Sequence, residues 1–196
     1  MIGDKRGLTL MEILVVMGIF SMTVTVTSGI FLLSNQAQRR VLALTAAQAD
    51  LRFVMEAIVR EVRGGQIDYA TYENAQGGIT LPASRLLLQS ASGNQLEFYS
   101  ETNPTVCSSG VSRCLAVRVN GTAQSLTSTG VVLEKLVFYI SPGNDPFSID
   151  AGSGLYKANA QPTVTIALQV RTTGPKPQDV FTMNAQTTVT SRAYVR

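Results

Sequence analysis

The chain has 196 residues, of which 45% are apolar and 15% charged, with a formal net charge of +3 and no histidine. That length holds one ordinary globular domain plus a membrane segment. The missing histidines exclude imidazole acid–base chemistry, Ser-His triads and histidine metal sites. Positive charge is spread out, with only a modest basic stretch between Arg39 and Arg63, so no specific nucleic-acid partner is expected.

Taken in chain order, the first informative stretch is Gly7-Leu8-Thr9-Leu10-Met11-Glu12, with Lys5 and Arg6 directly before it. Glu12 then stands at the front edge of Ile13–Leu33, which contains no charge. As a helix that run spans about 31 Å, one bilayer core. An acid at the start of a membrane segment is costly, and such residues are usually functional. Three readings compete. A secretory signal needs a shorter apolar core and a small-x-small cleavage site, which Leu32-Leu33-Ser34-Asn35-Gln36 does not offer. A plain single-span anchor accounts for the length and for Lys5 and Arg6, but not for Gly7 or Glu12.

The third reading is a resemblance. The hexapeptide from Gly7 to Glu12 resembles the processing site of type IV prepilins and of the pseudopilins of type II secretion. The resemblance implies a basic leader (residues 1–7) removed by prepilin peptidase between Gly7 and Leu8. Leu8 becomes the N-methylated first residue, and Glu12 becomes the fifth-position glutamate that serves assembly. It implies a bacterial inner-membrane protein with a single span and a periplasmic domain, which later enters a filament. The implied partners are the peptidase, other pilin or pseudopilin subunits, the inner-membrane assembly platform and membrane lipid. An unpaired buried carboxylate costs several kcal/mol. In a filament the amine of Leu8 on a neighbouring subunit would pair with Glu12 and set the axial register. Thr9 adds at most a hydrogen bond.

Within the apolar run, Thr23, Thr25 and Thr27 alternate with Val24 and Val26, a strand pattern in water. Lipid allows only a helix there, softened by Gly18 and Gly29. Local unwinding at Gly29 and close packing of small residues are both open. From Val41 apolar residues recur at Leu44, Ala47, Leu51, Val54, Ile58 and Val62, spacings of three and four, with Phe53 and Met55 extending the stripe. Gly64-Gly65 closes the pattern. One helix of roughly 84 Å from Leu8 to Arg63 follows, divided into a membrane or filament-core part (8–33) and an amphipathic continuation (34–63). The basic residues opposite the stripe form a solvated face.

A β-rich globular domain occupies 64–196. Leu86–Leu88 and Leu96–Tyr99 flank Ser90–Asn94 as a hairpin. Leu115, Val117 and Val119 lead through Asn120-Gly121 into Ser125–Thr127. Val131–Ile140 reads as a central strand. Val164–Val170 and Phe181–Val189 alternate on either side of a Pro175/Pro177 loop. The expected class is α+β, a long N-terminal helix packed on a mostly antiparallel sheet.

Cys107 and Cys114 are the only cysteines. In a periplasmic or extracellular domain they form a disulfide. The alternative, a redox or metal pair, lacks CxxC spacing. Asn144, Asp145 and Asp150 lie in a Gly/Pro loop that matches no calcium-loop pattern, and an ordinary surface loop is favoured over a cation site. Thr71-Tyr72 and Tyr156-Lys157 are candidate subunit contacts. No phosphate loop, metal cluster or activated nucleophile is visible, so neither an enzyme nor a cofactor is expected. Leu51–Arg63, Val132–Tyr139 and Thr187–Arg192 look like the corresponding parts of J-type pseudopilins and W-type minor pilins. Such subunits prime assembly at a filament tip. Glu12 argues against the K-type tip pseudopilin, which usually lacks it. A filament-borne binding subunit, for DNA uptake or adhesion, is the alternative function.

Overall fold

The computed structural model describes residues 9–107, 110–149, 152, 154–156, 160–174 and 180–192, with no side-chain description at 75 and 76. Gly7, Leu8, Asp150, Lys157 and the Pro175/Pro177 loop lie outside the described residues. The fold is α+β. Compactness divides the chain into one unit ending at Leu42 and a second beginning at Ala43, so the division falls within the 34–63 stretch.

Helix α1, Leu10–Gly64, runs 55 residues without interruption. Within the second unit it buries Ala47, Val54, Ile58 and Val62, with Leu51, Met55 and Val59 partly covered. These positions follow the three-and-four spacing of one helix face. Phe53 is the exception to the expected stripe. It is 60% exposed, because it sits about 100° around the helix from Val54. Val41 is exposed as well, so the covered face starts later than its apolar spacing suggests.

The end of α1 is held by the rest of the domain. A Cβ on Gly65 would meet the Gln89 carbonyl oxygen at 2.7 Å and that of Glu61 at 2.8 Å, so only glycine fits this close approach. Gly65 N–H donates to Glu61 C=O. The last helical carbonyls have no partners within the helix, and here Arg192 N–H donates to Arg63 C=O at 3.2 Å. Ser191 Oγ donates to Gly65 C=O at 2.8 Å, in a buried position.

A short strand β1 (Gln66–Ile67) leads into α2 (Tyr69–Gln76), a helix that the period-two reading of everything after Gly65 does not contain. Its start is an Asp68 cap that accepts the Thr71 N–H at 3.0 Å and the Thr71 hydroxyl at 2.7 Å. Its end is Gly77 at φ +69°, whose N–H donates to Glu73 C=O while Gly78 N–H reaches Tyr72 C=O.

The strands form two sheets rather than the single one expected. The first has the order β1-β2-β3-β4-β5, with β2 Arg85–Gln89, β3 Gln95–Glu101, β4 Cys114–Val119 and β5 Thr122–Ser125. The second is β6 (Val131–Ser141), β7 (Thr163–Thr172) and β8 (Thr182–Thr190). Every pairing is antiparallel. The hairpin around Ser90–Asn94 and the Asn120-Gly121 turn stand where their turn residues place them, Asn120 at φ +48° and Gly121 at φ +91°. β6, expected to be central, is instead an outer strand of its sheet, and β7 is the middle one. Its apolar run is buried for another reason. Val131 and Leu133 face the main core, while Val132 joins Cys107, Val111 and Cys114 in a separate cluster. A bulge between Leu133 and Lys135 then shifts the alternation by one, so that Leu136, Phe138 and Ile140 also face the main core. Beyond it, Ala83 and Phe138 exchange two backbone hydrogen bonds, joining the lead-in to β2 to β6.

Burial separates two positions of the same helix sharply. Replacing fully buried Ile58 by Ala should cost about 2–5 kcal/mol, whereas Phe53→Ser should stay within about 0.5 kcal/mol. Urea unfolding of the detergent-solubilised chain checks both, and equal effects would contradict the packing of α1 described here.

Candidate functional site

The candidate site is the start of α1 together with the apolar face that follows. Thr9 precedes the first turn, and its Oγ1 accepts the Glu12 N–H at 3.3 Å while its carbonyl accepts the N–H groups of Glu12 (3.1 Å) and Ile13 (3.2 Å). Thr9-x-x-Glu12 is thus an N-terminal cap with the acid at the third helical position, the pattern of a capping box. The sequence contained this signal, and the reading of Glu12 as an assembly residue passed over it. A carboxylate there also complements the positive end of the helix dipole. Glu12 is exposed. Gly7 and Leu8, the other two processing residues, are outside the described part.

After Glu12 the helix is apolar all round and exposed. Met22, Phe31 and Leu33 are 72%, 68% and 67% accessible, and the helix that starts at Leu10 is long and apolar enough to cross a membrane. Its hydroxyls do not break that character. Ser21, Thr23, Thr25 and Thr27 donate to the carbonyls of Met17, Ile19, Ser21 and Thr23 at 2.8–2.9 Å. Each of these four hydroxyls is therefore satisfied inside the helix, with some bending tendency as the consequence. The alternation of Thr and Val accordingly produces helix, not strand. The helix continues unbroken through Gly18 and Gly29, and a Cβ at either position would meet open space.

The cysteines are joined. Cys107 and Cys114 form a disulfide with Cα atoms 5.6 Å apart. Both sulfur-bearing residues are buried, 2% and 1% exposed, beside Val111 and Val132. The bridge lies within the β3–β4 connection, which starts after Glu101. The Glu101 carboxylate accepts the N–H groups of Thr102 and Asn103, which hold it below the usual carboxylate range. Buried placement fits a structural disulfide rather than an exchanging one.

The remaining candidates separate. Tyr72 is no subunit contact, being 1% exposed. Its hydroxyl donates to Arg85 C=O at 2.8 Å and accepts the Leu87 N–H at 2.9 Å, stitching α2 to β2. Tyr156 stays half exposed. Asp145 is engaged by its own turn, accepting the Phe147 N–H at 2.9 Å. Among the described residues no group of three or more Cys, Asp or Glu is placed to hold a metal.

Strand register also assembles a charge ladder that sequence reasoning did not find. Glu97 lies opposite Arg118 and diagonal to Arg85, and it pairs with both. The Arg118 guanidinium stacks 4.5 Å from the Tyr99 ring. Only the pairing of three strands brings these residues together, so no local pattern announces them. The chain matches no protein-family model, no curated protein and no solved structure in the comparisons made.

Two outcomes are expected. Burial pushes the Tyr72 phenol up to about 12 and that of Tyr69 upward as well. A raised phenol stabilises the fold below the ordinary value of about 10 and loses that contribution as pH rises towards 12. Phenolate absorbance should therefore show at least two tyrosines titrating late, and a fold that weakens above about pH 10. The double variant Cys107→Ser/Cys114→Ser should lower stability by roughly 2.5 kcal/mol. Wild-type protein should release no thiol to mild reductant until it is unfolded.

Proposed function

We propose that the chain is a minor subunit of a type IV pilin-like filament, processed between Gly7 and Leu8 and anchored by the first part of α1. The observation that carries the reading is the setting of Glu12. It is the single charge on an otherwise uncharged, outward-facing apolar helix that continues to Gln38. Such a surface is stable in lipid or among like helices, and in neither is a lone carboxylate favourable without a partner. The cleaved, methylated amine of Leu8 on a neighbouring subunit supplies that partner in the proposed filament. A β-rich domain closed by a buried disulfide supports a periplasmic or extracellular setting. The likeness of Leu51–Arg63 and Val132–Tyr139 to J-type and W-type subunits favours a role in priming assembly over bulk filament.

Co-expression with a prepilin peptidase and mass spectrometry of the product tests the processing. An N-methylated Leu8 is expected, and an intact Met1 removes the assignment. The assembly role of Glu12 has to be separated from its cap. Glu12→Gln keeps a capping side chain but not the charge, whereas Glu12→Ala loses both. Both variants should insert and be processed, and both should fail to assemble. If Glu12→Gln assembles like the wild type, the charge pairing is wrong and the residue serves the helix start alone.

A further inference from the structure

The two sheets end very differently at their margins. In the first, the outer strands are β1, of two residues, and β5, of four. In the second, β6 is bonded at Phe138 to Ala83, but β8 runs nine residues as an outer strand with no bulge in its pairing to β7.

The register shows which of its backbone groups are free. Thr172 N–H donates to Phe181 C=O, and Ser191 N–H donates to Pro162 C=O, both at 2.9 Å. These bonds lie at the two ends of the β7–β8 ladder and share its register. Hydrogen-bonded pairs alternate with non-bonded ones in an antiparallel ladder. The residues of β8 turned towards β7 are therefore Met183, Ala185, Thr187 and Val189. Thr182, Asn184, Gln186, Thr188 and Thr190 turn their N–H and C=O groups away, and among the described residues no backbone group accepts or donates to them. None of the nine residues is charged and none is proline. Natural sheets usually guard such an edge with lysine, proline, a bulge or extreme shortness. β8 has none of these.

We propose that the outer edge of β8 receives an added strand, an extended and uncharged segment of a different neighbouring subunit. Backbone bonding supplies affinity in this mode of recognition, and alternate side chains supply selectivity. The row Asn184, Gln186, Thr188 offers amides and hydroxyls, matching polar uncharged side chains on the incoming strand. A second copy of this chain fits less well. Antiparallel pairing of β8 with itself needs a two-fold axis normal to the sheet. The part of α1 that lies against Leu168 and Val170 in that sheet would then run in opposite directions in the two copies. Subunits of the proposed filament run in one direction, which such a pair does not. That choice of partner rests on the membrane-anchored, multi-subunit reading above; the free edge itself does not.

The test uses the full chain in native membranes with its co-encoded subunits. A benzophenone amino acid at Gln186 is photo-cross-linked and the product mapped by peptide mass spectrometry, and hydrogen exchange is followed at single β8 amides. In the purified chain the five outward amides should exchange quickly and the four inward ones slowly. On assembly the outward five should slow by at least about tenfold, and Gln186 should cross-link to an extended segment of another subunit. Asn184→Pro removes one outward N–H while leaving the β7 ladder intact, and Asn184→Lys places a charge on the edge without touching the backbone. Each should keep the monomer's melting temperature and lose most of the cross-link. A cross-link to a second copy overturns the choice of partner, and outward amides that stay fast in the assembled state overturn the added strand. A processed N-terminus with a fast-exchanging edge defeats this inference alone. An unprocessed one with a protected edge defeats the pilin reading alone.

Discussion

A helix that is apolar on every side cannot be solvated by water along its length, and α1 carries such a surface from Leu10 to Leu33. Its backbone is satisfied internally, and so are the hydroxyls of Ser21, Thr23, Thr25 and Thr27. Apart from Glu12 and Ser28, what is left outward is almost all hydrocarbon. Burying it contributes roughly 25 cal/mol per Å², so the first unit has a strong demand for lipid or neighbouring helices that nothing in its own described residues meets. The second unit has no such demand, because Ala47, Val54, Ile58 and Val62 are already covered. One continuous helix thus carries an uncovered apolar surface in the first unit and a covered apolar face in the second.

Glu12 is where that arrangement is under most strain. A Thr9 cap and a favourable dipole position are together worth about 1–2 kcal/mol. Moving an unpaired carboxylate into an apolar setting costs several kcal/mol. Capping alone therefore does not hold a charged Glu12 among lipid chains or packed helices. Near the headgroups the cap suffices; deeper in, a cationic partner is required. In the proposed filament the two roles are sequential rather than competing, since the cap organises the first turn before the charge meets its partner.

How much of this is readable in the sequence depends on the range of the interactions involved. The periodic spacing from Leu44 to Val62 marks α1, and Asn120-Gly121 marks its hairpin, because both are local. Phe53 misleads because an apolar residue one step off the stripe looks the same in composition. Helix α2 is hidden by its brevity and polar content, although Asp68 and Gly77-Gly78 are cap signals on either side of it. The Val131-Val132-Leu133 run suggests a strand central to a sheet. In fact its two faces meet different clusters, one of them built by a disulfide whose cysteines precede it in the chain. The division into two sheets and the Arg85–Glu97–Arg118 ladder depend on pairings between distant segments, which no short window contains.

The end of α1 shows how the domain is tied to its helix. Gly65 is pressed against the Gln89 carbonyl, and Gln66 pairs with Gln89, so the helix terminus is fastened to the first sheet. Ser191 and Arg192, directly after β8, donate to the carbonyls of Gly65 and Arg63, which fastens the same terminus to the second sheet. Both sheets therefore converge on Arg63, Gly65 and Gln66 at the helix end. A tension or tilt applied along this part of α1 would reach β2 and β8 together through a few backbone bonds of about 1 kcal/mol each, reinforced by a buried core. That geometry places the free edge of β8 next in line after the helix terminus. A strand added there would join a neighbouring subunit to the stiffest element of this one rather than to a loop.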